Sequence, residues 1–194
     1  MATAYYFSHT QIRVEPSVSV TDWHLSEEGR ARALRVVNAP WLSRVTRVIA
    51  STEYRVIQTA HIFAGRRDLP VELYPQIDDS GRPLSDFLSV MELERTVAAF
   101  FARPLESPRP GWEAAALAQQ RVVAGMNAVL DAKTDDGDLL IIGHGRIGTL
   151  LLCHLAGLPI SREHYHPIRG GNLFAFDCAS REVLFRWRMV APPL

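Results

Sequence analysis

The chain of 194 residues has the length of one domain, and its 21 basic residues balance its 21 acidic residues. A neutral chain lacks the excess positive charge with which proteins hold nucleic acids, so we expect no nucleic-acid partner. Hydrophobic residues make up 47% of the chain and there are two cysteines, a composition that favours an ordinary globular core and excludes a disulfide scaffold.

Export and membrane signals are absent from the sequence pattern. The first residues do not combine a basic start with an apolar run, as a signal peptide would. The longest apolar stretches, 139–142 and 149–160, are shorter than the roughly 20 residues that span a bilayer. We therefore expect a soluble, cytoplasmic protein that does not enter a membrane. The sequence leaves its oligomeric state open.

Strands and helices alternate along most of the chain. Short apolar runs predict strands at residues 4–7, 47–51, 71–73 and 139–143. Helical spacing of apolar residues predicts helices at 26–37, 53–66, 86–101, 112–132 and 147–157. A short turn joins 172–177 to 183–189, which predicts a hairpin. Such alternation is typical of an α/β fold, a three-layer sandwich with a mostly parallel central sheet and helices on both faces.

Residues 76–112 interrupt this alternation. Four prolines, at positions 83, 104, 108 and 110, punctuate the segment around the helix predicted at 86–101. We interpret the segment as an insertion or lid within a single domain that spans 1–194.

Three predicted strands end in residues suited to binding a phosphate. His9 follows the first strand, and His144 follows the apolar strand at 139–143. The strand at 47–51 leads to Arg55, which lies near the start of a helix, where backbone N–H groups and a guanidinium favour an anion. Because ligands of parallel sheets bind at the carboxyl ends of the strands, we expect these side chains to converge.

The order of these motifs resembles the histidine phosphatase superfamily, also called phosphoglycerate-mutase-like. An Arg-His-Gly motif after the first strand corresponds here to Ser8-His9-Thr10, and the late Gly-His-Gly motif to Gly143-His144-Gly145. Between them lie a stretch at 25–33 that corresponds to a Leu-x-x-x-Gly-x-x-Ala helix start, and a Ser-rich strand end with its arginine and Thr-Ala pair, at 50–60. The resemblance runs from Tyr5 to about Asp177 and implies a phosphoglycerate-mutase-like fold.

The resemblance implies phosphoryl transfer without a metal or other cofactor, on a small phosphorylated substrate or anion. His9 falls on the nucleophile that forms a phosphohistidine, while His144 and Arg55 fall on groups that hold the phosphate oxygens. A carboxylic acid after the third strand protonates the leaving group, and spacing favours Asp79 over Asp78.

The first motif departs from the family pattern. The positions of the phosphate-binding loops fall on Ser8, Thr10 and Gly145, so a serine replaces the first phosphate-binding arginine and a threonine replaces the glycine beside it. Neighbouring arginines are candidates to compensate, namely Arg13, Arg82, Arg146 and Arg169. Two outcomes follow: a phosphomonoester hydrolase of reduced activity, or a catalytically silent relative that binds an anionic ligand in the same pocket.

One competing motif also lies at the late histidine. Residues 143–148 match G-x-G-x-x-G between a strand and a helix, the fingerprint of dinucleotide binding. Only 46 residues follow it and they predict a hairpin rather than a further strand–helix unit. We therefore interpret these glycines as allowing the helix to pack closely on the sheet.

Overall fold

A computed structural model describes residues 1–79, 87–165 and 170–192. The six strands of its sheet are β1 (Thr3–Ser8), β2 (Val45–Ala50), β3 (Val71–Leu73), β4 (Asp138–Gly143), β5 (Asn172–Asp177) and β6 (Val183–Met189). The α-helices in these residues are α1 (Glu27–Val36), α2 (Tyr54–Ala64), α3 (Val90–Ala102), α4 (Ala115–Asp131) and α5 (Gly145–Leu155).

The six strands form a mixed sheet in the order β3-β2-β4-β1-β5-β6. The first four of these run parallel, and β5 and β6 add an antiparallel hairpin at one edge. The fully buried strand β4 lies between β1 and β2, as its wholly apolar sequence predicts. The α/β class and the mostly parallel sheet are therefore confirmed.

Alternate residues of the strands face two separate helical layers. On β4, Leu139 and Ile141 pack into a cluster with α3, α4 and α5. Leu140 and Ile142 face the opposite side and pack into a cluster with α1 and α2. This period of two is the geometry of a strand covered on both faces, and it produces the expected three-layer sandwich.

Local signals in the sequence explain where the helices begin. The Ser26 side chain accepts a hydrogen bond from the Gly29 N–H and caps α1. Helix α3 begins at Val90, later than the predicted position 86, because Ser89 and Glu92 form a reciprocal capping box there. Helix α5 begins two residues earlier than predicted, directly after His144.

The predicted insertion at 76–112 includes residues 80–86, which lie outside the described residues. The described part holds α3, whose buried Val97 and Phe100 belong to the core beside α4. None of the helices in the described parts of the chain has the length and apolarity needed to cross a bilayer.

Candidate active site

Strand register brings the two predicted histidines together. Ser8 of β1 pairs with Gly143 of β4, so the next residue on each strand, His9 and His144, leaves the sheet at the same point. The backbone N–H of His9 also donates to the Gly143 carbonyl at 3.0 Å. The two imidazole rings lie 5.3 Å apart, centre to centre. The predicted convergence across 135 positions of sequence is therefore present in the structure.

His9 presents its outer ring nitrogen to the site. Its Nδ1 lies 2.8 Å from the carbonyl oxygen of Thr10, a contact that requires the proton to be on Nδ1. The lone pair is then on Nε2, which accepts a 3.4 Å contact from Arg55 Nε. Burial and the charge of Arg55 lower the pKa of His9 to about 3. At neutral pH the ring is consequently neutral, with Nε2 unprotonated, as a nucleophile must be.

His144 is held through its backbone and through one ring nitrogen. The Tyr6 hydroxyl bridges the N–H and carbonyl groups of His144, with both contacts at 3.1 Å. The His144 Nε2 lies 2.9 Å from the hydroxyl of Ser51, the residue that follows β2. Burial lowers the pKa of His144 to about 3. Its Nδ1 is buried and has no hydrogen-bond partner among the described residues.

Two arginines and two carboxylates alternate beside the histidines. Arg55 contacts Glu53 through Nη2, and the same nitrogen lies 3.8 Å from Asp79 Oδ2. Arg146 donates to Asp79 Oδ2 at 2.5 Å. Glu53 in turn accepts from the Asp79 backbone N–H at 3.0 Å. The network fixes both guanidinium groups, and both converge on a single carboxylate oxygen.

These groups line one cavity of about 240 Å³. His9, Arg55, His144 and Arg146 form its charged end, together with Asp79. The remaining wall is largely apolar and consists of Ile12, Trp23, Leu88, Leu93, Val97 and Tyr165, with Gly145 and Glu94. Helix α3 contributes part of this wall, so the segment predicted as an insertion does border the site. The cavity is large enough for a phosphate with a small organic group attached.

Two of the predicted phosphate-binding residues direct their hydroxyls elsewhere. The Ser8 hydroxyl accepts from the Asn172 N–H at 3.1 Å and thereby joins β1 to the start of β5. The Thr10 hydroxyl donates to the Gly29 carbonyl at 2.7 Å and joins the loop after β1 to α1. Neither residue lines the cavity, whereas Gly145 does. Both hydroxyls therefore stabilise the backbone around His9.

The two candidates for the proton donor, Asp78 and Asp79, occupy different surroundings. Asp79 lines the cavity between the arginines. Asp78 accepts from the backbone N–H and the hydroxyl of Thr52, at 2.7 and 2.6 Å, and thus holds the loop after β2. The structure places Asp79 alone of this pair in the wall of the cavity.

The compensating arginines proposed from the sequence also differ in position. Arg146 is buried in the cavity wall. Arg13 is exposed and pairs with Glu15 at 2.8 Å. Arg82 and Arg169 lie outside the described residues.

Glu53 and Ser51 are site residues that sequence reasoning did not assign. Glu53 is 6% exposed and lies between Arg55 and His144, with its Oε1 3.5 Å from His144 Nε2. Their position in the sequence could have indicated a role in the site, because both residues lie between β2, the neighbour of β4, and the start of α2. A glutamate at a helix start is usually explained by its favourable interaction with the helix dipole. The sequence therefore gives no separate reason to place Glu53 in the site.

Three potential metal ligands meet here, because one atom each of Glu53, Asp79 and His144 lies within 4.8 Å of the others. Both carboxylates already face guanidinium groups, and these fixed positive charges oppose the binding of a divalent cation. We therefore interpret the carboxylates as groups that orient Arg55 and Arg146.

The glycine pattern at 143–148 has a packing explanation. A Cβ on Gly143 would lie 2.2 Å from the Tyr6 hydroxyl oxygen, and a Cβ on Gly148 would lie 2.4 Å from a Tyr6 ring carbon. Both glycines thus make room for the tyrosine that holds His144. Close packing of α5 on the sheet accounts for the motif without a dinucleotide.

Comparisons with known proteins give one family. The model of the histidine phosphatase superfamily (branch 1) matches residues 9–187. A search of curated proteins finds no match. The structure resembles that of a mycobacterial glucosyl-3-phosphoglycerate phosphatase, with a TM-score of 0.76 and 16% identity over 98% of this chain and 97% of that one.

Two further solved structures have the same fold. Bacillus stearothermophilus YhfR aligns with a TM-score of 0.78 and 18% identity, over 98% of this chain and 96% of that one. A putative alpha-ribazole-5'-P phosphatase from Escherichia coli aligns with a TM-score of 0.77 and 17% identity, with the same coverage. The mycobacterial phosphatase is also known in complexes with inorganic phosphate and with VO3.

Proposed function

Because the chain belongs to branch 1 of the histidine phosphatase superfamily, we propose that it is a phosphomonoester hydrolase that works through a phosphohistidine and needs no metal. One observation carries the proposal: His9 is held in the tautomer that leaves Nε2 unprotonated, at the charged end of a cavity that His144 and Arg55 also line. The small-anion complexes of the mycobacterial relative agree with a small phosphorylated substrate.

The first step is attack by His9 on phosphorus. The Nε2 lone pair forms the N–P bond while the P–O bond to the leaving group breaks, so the phosphoryl group moves to the imidazole. Negative charge on the three equatorial oxygens is stabilised by Arg55 and by the buried Nδ1 of His144. The proton stays on His9 Nδ1, which donates it in a hydrogen bond to the Thr10 carbonyl and so keeps the ring oriented.

Asp79 supplies the proton to the leaving oxygen. In the unliganded site its carboxylate is the counter-ion of two guanidinium groups. A dianionic substrate that takes over these guanidinium groups leaves the carboxylate beside another anion, which favours its protonated form. The same residue then takes a proton from the water that attacks the phosphohistidine, and phosphate is released.

Hydrolysis of an aryl phosphate in the presence of a chelator tests the proposal. His9→Ala is expected to reduce kcat by a factor on the order of 10³ or more, as loss of a nucleophile does. His154→Ala changes an exposed histidine outside the site and is the matched control. Wild type is also expected to retain ³²P after acid-free quenching, and His9→Ala is not. Equal turnover of the two variants would remove His9 from the mechanism.

A silent binding protein is the second candidate, and one observation favours it. The Ser8 hydroxyl is committed to the backbone of Asn172, so β1 provides no phosphate-binding side chain. In that case inorganic phosphate is expected to raise the thermal unfolding midpoint of wild type while no aryl phosphate is hydrolysed.

A further inference from the structure

Arg146 carries a buried donor group that the protein itself does not use. Its side chain is 7% exposed, and Nη2 donates to Asp79. Its Nη1 is buried and has no hydrogen-bond partner within residues 1–79, 87–165 and 170–192. Burying an unpaired guanidinium nitrogen is costly, so its retention in a cavity wall points to an acceptor that enters the cavity.

Two aromatic rings pack against the guanidinium of Arg146. Its central carbon lies 5.1 Å from the centre of the Trp112 ring and 6.0 Å from that of Phe100. Both rings are buried. Cation–π contacts with these two rings favour this position of the guanidinium.

The position of Arg146 on its helix also calls for an anion. It is the second residue of α5, and the first turn of that helix contains no acidic residue. A cation near a helix N-terminus is opposed by the helix dipole. Asp79 provides one negative charge there, and Arg55 competes for the same oxygen at 3.8 Å. Glu53 pairs with Arg55, so the two carboxylates balance the two guanidinium groups and the positive helix end remains in excess.

We propose that Arg146 is a phosphate-binding residue, which supplies from α5 the guanidinium that Ser8 does not supply from β1. Arg55 and Arg146 already converge on one oxygen, Asp79 Oδ2, so a single oxyanion lies within reach of both. Nη1 donates to a phosphate oxygen, while Nη2 is shared between the phosphate and Asp79. This inference rests on the proposed function, since it concerns the anion site of the same cavity.

Calorimetric titration with inorganic phosphate at fixed ionic strength tests the inference apart from turnover. Arg146→Gln is expected to weaken phosphate binding roughly 30-fold or more, which is typical when one partner of a buried charged contact is removed. The matched control is Arg103→Gln, because Arg103 is 61% exposed and pairs with Glu106 outside the site. The control is expected to bind phosphate as wild type does.

A second comparison separates direct contact from an effect through Asp79. In an Asp79→Asn background, Arg146→Gln is expected to weaken phosphate binding again by a similar factor. If the second substitution has no effect there, Arg146 only positions Asp79 and the inference is wrong. Equal phosphate affinities of Arg146→Gln and Arg103→Gln, or no phosphate binding by wild type, also overturn it.

The remaining outcomes distinguish this inference from the proposed function. Phosphate binding that depends on Arg146 without any hydrolysis by wild type supports the inference and refutes the hydrolase. Should Arg146→Gln not fold, as judged by near-UV circular dichroism, Arg146→Lys decides, because it keeps the charge and loses the second donor nitrogen. We expect it to bind phosphate roughly 10-fold more weakly than wild type; unchanged affinity overturns the inference.

Discussion

Gly148 of α5 packs against two aromatic rings, so an added methyl group tests how closely the site depends on this contact. A Cβ there would lie 2.4 Å from a Tyr6 ring carbon and 2.8 Å from a Trp187 ring carbon. Carbon atoms in contact prefer about 3.5–4.0 Å. Because Tyr6 is completely buried, it has to shift by about 1 Å within a packed core.

The expected cost combines two opposing effects. Overpacking of this kind destabilises a protein by up to about 3 kcal/mol. Replacing glycine by alanine within a helix returns about 1 kcal/mol. We therefore expect Gly148→Ala to lower the free energy of unfolding by about 2 kcal/mol. Since the Tyr6 hydroxyl holds the backbone of His144, we also expect weaker phosphate binding.

Gly157→Ala is the matched control for this experiment. Gly157 follows α5 with a φ of +63°, and a Cβ there would meet no atom within 4 Å. Alanine in that conformation costs about 1–2 kcal/mol, so the stability loss is similar but Tyr6 does not move. Urea unfolding and phosphate titration of both variants give the comparison. A Gly148→Ala protein as stable as wild type, or one that binds phosphate equally well, would refute the reasoning.

Two further predictions concern charge. Burial lowers the pKa of both active-site histidines to about 3. Between about pH 6.5 and pH 3, the unfolded chain therefore binds a proton on each of these histidines and the native state does not. The free energy of unfolding is thus greatest above pH 6.5 and falls by up to about 1.4 kcal/mol per pH unit for each histidine as the pH decreases. Urea unfolding at pH 7 and pH 5 and NMR titration of the His9 and His144 rings measure this, and a His9 or His144 ring signal that titrates near pH 6.5 in the native protein would contradict it. Glu53→Gln removes the buried partner of Arg55 and is expected to cost about 3 kcal/mol in urea unfolding. As the control, Glu72→Gln breaks the partly exposed Arg47–Glu72 pair and is expected to cost less than about 1 kcal/mol. Equal losses of unfolding free energy in the two variants would show that burial of the Arg55–Glu53 pair does not increase its contribution to stability.

Much of the fold and the central part of the site follow from the sequence for simple reasons. Apolar runs and helical spacing predict the elements because burial requires those periods. His9 and His144 are predictable because residues that follow parallel strands leave the sheet at one edge, and the paired register of Ser8 with Gly143 brings them side by side.

The surrounding network could not be predicted in the same way. Which of the nearby arginines reaches the cavity depends on the position and direction of each side chain: Arg13 is exposed and pairs with Glu15, whereas Arg146 on α5 lines the cavity. Glu53 has an ordinary explanation at a helix start. The hydroxyls of Ser8 and Thr10 bind backbone groups, and the sequence pattern does not distinguish such contacts from contacts with a ligand.

The sheet order has a consequence for synthesis of the chain. β1 is made first, yet both of its neighbours, β4 and β5, come from the last third of the polypeptide. An emerging chain therefore holds an unpaired apolar strand until more than 130 further residues have left the ribosome. Contacts so distant in sequence slow folding and leave that strand open to aggregation. Holdase chaperones are thus expected to act chiefly on nascent chains that still lack β4.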